Sequence, residues 1–470
     1  MNIETHKLFG EIVEKIDGIG LTAQGIALDF AHFVSGRVCC LSETREWIAF
    51  NGNCWDLATA QTRVEQCWDE YVSHRLGEAA TLTGADLKAA MIGIPALLTA
   101  KTRNEVLQLA KPKLAISREV FDRNAEHLLV TPTGTVNLRT GELTPNDPTQ
   151  HLTQCTAVAY DAEAPDPECF DGLIAKLAGD DAETADWLWR AIGYTLTGDV
   201  REDAVFYLRG PGGNGKSTLV KTLFAILGSY AAKLNIRVLT AGAEHHDTEL
   251  ANVRGARFVV SSEIEKGMRL RESVLKDLSG GEVQTPRDMH QAARDAARWV
   301  PTCKVWLYGN HDLVVKDTSD SIWRRLNKIE SSHKFPKSGL RDSLAEKEGA
   351  GILKWAVHAA IEWYASAEGL GAQPARVKAA TDAYRNEQDT LGQYFAECLV
   401  FEPGSLTAYG ALTRDYTAWC NEHGYDYKVS PKELESRLTL AGCHRGRAKK
   451  SAGSSGAQGW RGVRLASARA

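Results

Sequence analysis

No apolar run in this sequence is long enough to cross a bilayer. The longest stretches, such as Met91 to Ala100 (MIGIPALLTA), fall well short of the ~20 residues required, and no charged-then-apolar leader opens the chain. No membrane partner is therefore expected, and the expected location is the cytoplasm. Paired cysteines are also missing. The ten cysteines, at positions 39, 40, 54, 67, 155, 169, 303, 398, 420 and 443, form no C-x-x-C pair and no Cys/His cluster at zinc spacing, which excludes a structural zinc site. Adjacent Cys39 and Cys40 suit buried reduced thiols. Internal repeats are absent, and one low-complexity patch, Ser451 to Gly459, is short enough to be a hairpin tip. Nor does one sign of charge dominate. With 55 basic and 60 acidic residues the net charge is −5, which argues against a protein that coats nucleic acid by bulk charge. The average conceals a gradient, because Pro431 to Ala470 carries +7 and the residues before it −12.

What is present reads as successive compact units. Residues 1–158 mix helical patterns, among them Leu8, Ile12, Val13 and Ile16, with an apolar run into an Asn-Gly turn at Trp47 to Asn53, and form an expected α+β domain. A linker with two prolines and four acidic residues, Tyr160 to Cys169, follows. The interval 165–200 reads as a helical collar, with Trp187, Leu188, Ala191, Ile192 and Leu196 on one face. From Ala204 continuous apolar runs (AVFYL, FVV, VWLY) alternate with helical segments. Continuity rather than alternation is what a parallel strand covered on both faces needs, so 201–335 is expected to be an α/β core. Residues 336–375 read as its helical extension and 376–470 as a separate basic unit, helical up to Leu440. The tryptophans, such as Trp187, Trp306 and Trp363, stand in apolar periodic contexts and read as core rather than base-stacking platforms.

Within the core, Gly210-Pro211-Gly212-Gly213-Asn214-Gly215-Lys216-Ser217 fits G-x-x-x-x-G-K-[ST], between an apolar run and a helix starting near Thr218. The glycines let successive backbone N–H groups point into one concavity, and the helix adds its positive dipole end, an arrangement that suits a triphosphate. Lys216 supplies a cation for the β- and γ-phosphates, and Ser217 a hydroxyl for Mg²⁺. Downstream, the strand-like run ending in Ser-Glu-Ile-Glu carries Glu263 and Glu265. On one side of a strand exit, one would bind hydrated Mg²⁺ and the other polarise an attacking water. A third strand, Lys304 to Tyr308, runs into Asn310, an amide placed to hydrogen-bond a γ-phosphate. Arg324 and Arg325 follow, and an arginine here can act as a finger on a neighbouring subunit's nucleotide, which implies a ring.

The order and wording of these blocks, GPGGNGKST (210–218), SEIEKG (262–267), LKDLSGGE (275–282), LYGNHDL (307–313) and IWRRL (322–326), resemble the AAA+ core of superfamily 3 helicases. The likeness is to the branch forming the C-terminal half of phage and plasmid primase-helicases and the poxvirus-type helicases. Upstream, SREVFDRN (117–124), GTVNLRTGEL (134–143) and AIGYTLTGD (191–199) resemble the domain that accompanies this core. The resemblance implies ATP and Mg²⁺ as cofactors and a hexamer moving 3′ to 5′ on single-stranded DNA in the cytoplasm of a bacterial host. It also implies forked DNA as substrate and a separate primase or replication initiator as partner, since no acidic metal triad of a primase domain precedes the matching blocks. It prefers Arg325 to Arg324 as the finger, from its position before Leu326. It further implies a DNA-contacting β-hairpin between the carboxylate and amide strands, where Arg287, His290, Arg294 and Arg298 lie. Met289, Ala292, Ala293 and Ala296 also fit a helix face, so hairpin and amphipathic helix both stand at this point.

The C-terminal unit suggests a winged helix. Helices at 405–422 and 431–440 precede a basic hairpin carrying Arg445, Arg447, Lys449, Lys450, Arg461 and Arg464, suited to gripping a phosphate backbone. A solubilising basic terminus is the plainer alternative. The competing class for the whole chain is a DNA-stimulated NTPase that loads or remodels other proteins without unwinding.

Overall fold

The computed structural model describes residues 22–84, 94–241, 248–284, 299–316, 319–335, 343–425, 429–447 and 458–466. The chain divides into two compact units, one of residues 1–313 with 324–377, the other of residues 314–323 with 378–470. Among the described residues no helix is long and apolar enough to cross a membrane.

In the first unit, helix α1 (Ala23–Phe33), strands β1 (Val38–Leu41), β2 (Trp47–Phe50) and β3 (Trp55–Asp56), helices α2 (Ala60–Ala80) and α3 (Ala100–Ala110) and strand β4 (Ala115–Ile116) form a mixed sheet of order β3-β2-β1-β4 under a helical layer. The hairpin expected from the Asn-Gly turn is the antiparallel pair β2–β3. A core of Phe30, Trp68, Tyr71, Val106 and Leu107 holds the layers together. Three short antiparallel strands follow, β5 (Leu128–Thr131), β6 (Gly134–Asn137) and β7 (Leu143–Thr144). Helices α4 (Glu168–Leu177) and α5 (Ala182–Leu196) occupy the collar interval, and the Asp181 carboxylate caps α5 by accepting from the Thr184 amide at 3.1 Å.

The centre of this unit is a five-stranded sheet, all parallel, built from β8 (Val205–Arg209), β9 (Ala231–Lys233), β10 (Phe258–Ser261), β11 (Lys304–Gly309) and β12 (Leu326–Glu330) in the order β12-β8-β11-β10-β9. Strand β8 lies between β11 and β12, and its residues 205–208 are all buried, which explains the unbroken apolar run in the sequence. Helix α6 (Lys216–Leu227) leaves the loop after β8, α7 (Glu272–Ser279) precedes β11, and α8 (Leu344–Ala365) closes the core. Phe206 stacks on Trp306 with ring centroids 4.5 Å apart, and Trp187 meets Phe206 edge-on. Each such fully buried side chain contributes roughly 1.5–3 kcal/mol, so this stack rigidifies the two strands that carry the loops described below.

The opposite end of the sheet is fastened by two buried cations. Arg257, just before β10, donates to the carbonyls of Leu196 (2.6 Å), Ala125 (2.9 Å) and Leu128 (2.7 Å). Lys304, the first residue of β11, donates to the carbonyls of Thr197, Asp199 (3.0 Å) and Thr302 (3.2 Å). Burial pulls the Lys304 ammonium well below its ordinary value, and the neighbouring Arg257 charge adds to the effect.

In the second unit, helices α10 (Thr390–Cys398), α11 (Tyr409–Glu422) and α12 (Pro431–Leu440) surround a three-stranded antiparallel sheet of β13 (Leu399–Ala408), β14 (His444–Arg447) and β15 (Gln458–Leu465), with β15 in the middle; helix α9 (Ala375–Gln388) leads into it. Tyr394, Trp419, Trp460 and Val463 form its core. The sequence reading put residues 405–408 in a helix and missed β13, because Pro403-Gly404 looks like a terminator. In the structure that dipeptide sits in a bulge of an outer strand, where a missing N–H costs no ladder bond.

Candidate functional site

Residues 210–215 curl around the start of α6. Gly210 has φ +155°, and a methyl group there would lie 2.1 Å from the Ser331 carbonyl oxygen, so only glycine fits. At Gly212 and Gly213 an added Cβ would meet nothing within 4 Å, which leaves the concavity open on that side. This open cradle at a helix N-terminus fits a chain of phosphates.

Lys216 points back into the cradle. Its ammonium donates to the carbonyls of Gly210 (2.6 Å) and Pro211 (3.2 Å) and the side-chain oxygen of Asn214 (2.8 Å), and reaches that of Asn310 at 3.4 Å. Burial, helped by the nearby Arg209 guanidinium, lowers this ammonium to about 8. Asn214, itself buried, donates its amide to the Ser331 carbonyl at 2.9 Å. The Phe335 amide donates to the Gly213 carbonyl at 2.9 Å. The segment after β12 therefore straps the loop, a role that sequence reasoning missed because nothing in residues 331–335 signals it locally. Arg209, Asp312, Lys328 and Glu330 form an ion-pair network at the same edge, with Lys328 2.9 Å from Glu330 and 3.2 Å from Asp312.

Asn310 follows the last residue of β11, paired next to β8, so the amide and Lys216 come together. Glu263 and Glu265 lie beyond the end of β10 at the same edge, two strand spacings, ~9–10 Å, from β8. The strand-alternation argument for them does not hold, since β10 stops at Ser261 and Glu263 adopts φ +68°. Both carboxylates are nevertheless exposed, because buried Ile264 between them packs against Gly309. Lys233 lies 3.6 Å from Glu263. Ser217 is exposed and Thr218 half-buried at the start of α6. Among the described residues no group of three or more His, Cys, Asp or Glu gathers to hold a metal by itself.

Arg324 and Arg325 stand at the other edge. Strand β12 starts at Leu326 opposite Val205, and the cradle begins beyond Arg209, so about 16 Å of strand separates the arginines from the loop of their own chain. The two arginines, of which the resemblance prefers Arg325 as the reaching residue, differ in burial. The Arg325 side chain is 11% exposed and pairs with Asp203 at 3.0 Å, whereas Arg324 is 64% exposed. Asp203 lies 121 residues earlier, so no local signal could have revealed the pairing.

Gln284 and Trp299 exchange two backbone hydrogen bonds, at 2.8 and 3.2 Å, in an isolated antiparallel bridge. Arg287, His290, Arg294 and Arg298 lie outside the described residues, as do Lys449 and Lys450.

In the second unit the basic residues do not make one uniform face. On either side of Gly462, at φ +90°, Trp460 and Val463 are both buried while Arg461 and Arg464 are both exposed. Arg445 pairs across from Trp460 and so shares the other face with Arg447. Glu435 engages Arg445, and Glu402 engages Arg464 at 2.7 Å. Arg447 and Arg461 are exposed and form no ion pair among the described residues.

Residues 28–177 match the family described as "D5 N terminal like", and residues 208–325 match a family described as of unknown function. A protein of Acanthamoeba polyphaga mimivirus provisionally named a helicase is 26% identical over 238 residues, covering 49% of this chain and 24% of that protein. A protein of African swine fever virus provisionally named a primase is 24% identical over 258 residues, 50% of this chain and 26% of that protein. The chain thus spans about a quarter of the length of the curated relatives it matches. A solved apo structure of the NrS-1 C-terminal region aligns over 91% of this chain and 88% of that one, at 10% identity and a TM-score of 0.46. The D5-type region, the phosphate-loop blocks and these viral relatives taken together make the chain similar to phage-type primase-helicases.

Proposed function

We propose that this chain is an ATP-dependent DNA helicase motor with an AAA+ core and a winged-helix-like C-terminal unit. It works as a ring, of hexameric size by resemblance, that travels 3′ to 5′ along single-stranded DNA during replication of a phage or mobile element in a bacterial cytoplasm. The observation that carries the reading is the placement of an exposed arginine at the sheet edge opposite its own phosphate loop. Only a second copy can bring that guanidinium to a nucleotide.

Residues 210–218 would hold ATP, and Ser217 with Glu263 would hold Mg²⁺. Bound Mg-ATP supplies the phosphoanhydride bond and neutralises charge developing on its phosphates. Lys216 exchanges loop carbonyls for the β- and γ-phosphate oxygens. Glu265 orients the attacking water and takes its proton, Asn310 hydrogen-bonds the γ-phosphate, and Arg324 of the adjacent copy steadies the transition state. By the family resemblance, Arg287, His290, Arg294 and Arg298, in the segment between Gln284 and Trp299, would contact DNA. Arg445, Arg447, Lys449, Lys450, Arg461 and Arg464 would add phosphate contacts.

The decisive experiment is strand displacement on a forked duplex with a 3′ tail, with Arg324→Ala copies titrated into wild type. Displacement that falls faster than the wild-type fraction is expected. ATP turnover without displacement points to a loader instead, and turnover proportional to the wild-type fraction removes the shared site.

A further inference from the structure

Asn310 stands one residue past the end of β11, and its neighbours in the chain are fastened on both sides. Upstream, the Gly309 carbonyl accepts at 3.4 Å from the amide of Gly210, where the phosphate loop begins. Downstream, the His311 carbonyl accepts from the Tyr207 hydroxyl, and the Asp312 carboxylate lies 3.2 Å from the Lys328 ammonium and 3.5 Å from the Arg209 guanidinium. These partners share one face of the sheet. Tyr207 and Lys328 are register partners in the parallel strands β8 and β12, as are Arg209 and Glu330, so the four side chains stand together. The opposite face carries Phe206 and Leu208 into the apolar core with Leu219 and Val220 of α6. Tyr207 and Lys328 are almost wholly buried, and the Asp312 side chain is 16% exposed. Burial and then the Asp312 charge push the Tyr207 hydroxyl far above its ordinary value, which keeps it a donor to the His311 carbonyl. Nothing in the proposed hydrolytic set uses Tyr207, Asp312 or Lys328.

We infer, on the reading of Asn310 as the amide that hydrogen-bonds the γ-phosphate, that Asp312 and Tyr207 are positioning residues which together fix the place where that amide meets the phosphate. Asn310 is itself exposed, and its side-chain oxygen reaches Lys216 at 3.4 Å, too long a contact to hold an amide in one orientation. The backbone must therefore hold it, and the two residues that follow it are the anchors. Without the Asp312 charge, the cations Arg209 and Lys328 face Glu330, 3.8 Å from the first and 2.9 Å from the second. Those three groups all belong to β8 and β12, so the ion pairs that tie the strands to the Asn310 loop are lost. The same charges also seat the strap of the phosphate loop. Glu330 precedes Ser331, whose amide donates to the Arg209 carbonyl at 3.0 Å and whose carbonyl accepts from Asn214 at 2.9 Å. An amide that drifts leaves Lys216 and the loop to bind a diphosphate as before. What it loses is the contact that tells a triphosphate from a diphosphate.

The test is a double-mutant cycle on the full chain, reading Mg-ATP turnover and the binding of fluorescent ADP and of a fluorescent non-hydrolysable ATP analogue. Asp312→Asn is expected to lower kcat by about a hundredfold, the effect of a misplaced catalytic group. In an Asn310→Ala background the same substitution should change kcat by no more than about twofold, since Asp312 acts through that amide. ADP affinity should stay within about twofold of wild type while affinity for the analogue falls by about tenfold, roughly one hydrogen bond. General loosening of the fold would not split the two nucleotides in this way. Turnover at the wild-type level in Asp312→Asn overturns the proposal, and so do losses that multiply in the double variant. Equal losses of ADP and analogue affinity with a matching fall in melting temperature mark a purely structural role and overturn it too. If Asp312→Asn unfolds below the assay temperature, Tyr207→Phe decides, because it deletes the hydroxyl bonded to the His311 carbonyl and leaves the ion pairs in place. It should show the same split between ADP and analogue with kcat lowered by about tenfold, and wild-type values in that variant overturn the proposal. Failure of the reading beneath it is separate, and shows as an Asn310→Ala variant that turns over ATP and binds both nucleotides as wild type does.

Discussion

At the C-terminal edge of the five-stranded sheet Lys216 gives its protons to Gly210 and Pro211, carbonyls of its own loop, and to two asparagine side chains. At the N-terminal edge Arg257 and Lys304 also donate to carbonyls, but apart from that of Thr302 these belong to other elements, the turn around β5 and the end of α5. The chemistry is the same and the consequence differs. A cation bound to distant segments fastens them together and has no other partner to seek. A cation bound to its own loop can leave without separating any two elements, and the cradle beside it is open. Burial alone therefore does not distinguish a structural cation from a working one. The origin of its acceptors does.

The comparison breaks most visibly if the fastening cations prove dispensable. Arg257→Ala leaves three carbonyls without their charged donor and is expected to cost about 3–5 kcal/mol in denaturant-induced unfolding, with Lys304→Met close behind. A loss within about 1 kcal/mol would show that these contacts do not hold the N-terminal layer to the sheet. Lys216→Ala should invert that pattern, lowering ATP turnover by about 10²–10³-fold while shifting stability by no more than about 1 kcal/mol.

The difference sharpens with pH. Because burial holds the Lys216 ammonium at about 8 against an ordinary 10.5, the empty loop loses this proton as pH rises through 8. A nucleotide's phosphates favour the charged form, so binding takes up a proton above that point. Affinity measured with a fluorescent nucleotide should be flat near pH 7 and weaken by at most about tenfold per unit above pH 8. Lys216→Arg should remove that dependence. The sign for folding is opposite, since the depressed value costs stability below pH 8 and that cost is relieved as pH climbs toward 10.5. The smallest effect belongs to the C-terminal unit. Replacing both Arg447 and Arg461 by alanine should weaken DNA binding a few-fold and reduce the slope of log affinity against log salt by about 2. Arg445 and Arg464, engaged by Glu435 and Glu402, should matter less.

Much of this was legible in the residues. The run Val205 to Leu208 announces a strand buried on both faces, and the glycine loop with Lys216 follows in register, because local constraint and burial there agree. The carboxylates were located for a reason that proved incomplete. Glu263 and Glu265 are exposed together not through strand alternation but because Ile264 is anchored between them. What the sequence could not reveal depends on distant partners. Which arginine is buried is decided by Asp203, and the loop's strap by Ser331 and Phe335. Beyond this, β13 was hidden by a proline that a ladder interior would exclude and an outer strand tolerates.

Having the loop and the arginine pair at opposite ends of the same strands gives each chain a head and a tail. Two copies related by a two-fold axis would set head against head and leave both loops without a guanidinium. If copies assemble as proposed, with Arg324 of one completing the loop of the next, they must do so by one repeated screw or rotation, and the geometry of a single junction decides whether it returns to its start or continues as a spiral. In a spiral the terminal loop always lacks an arginine, so fuel bound there is kept intact until the gap closes.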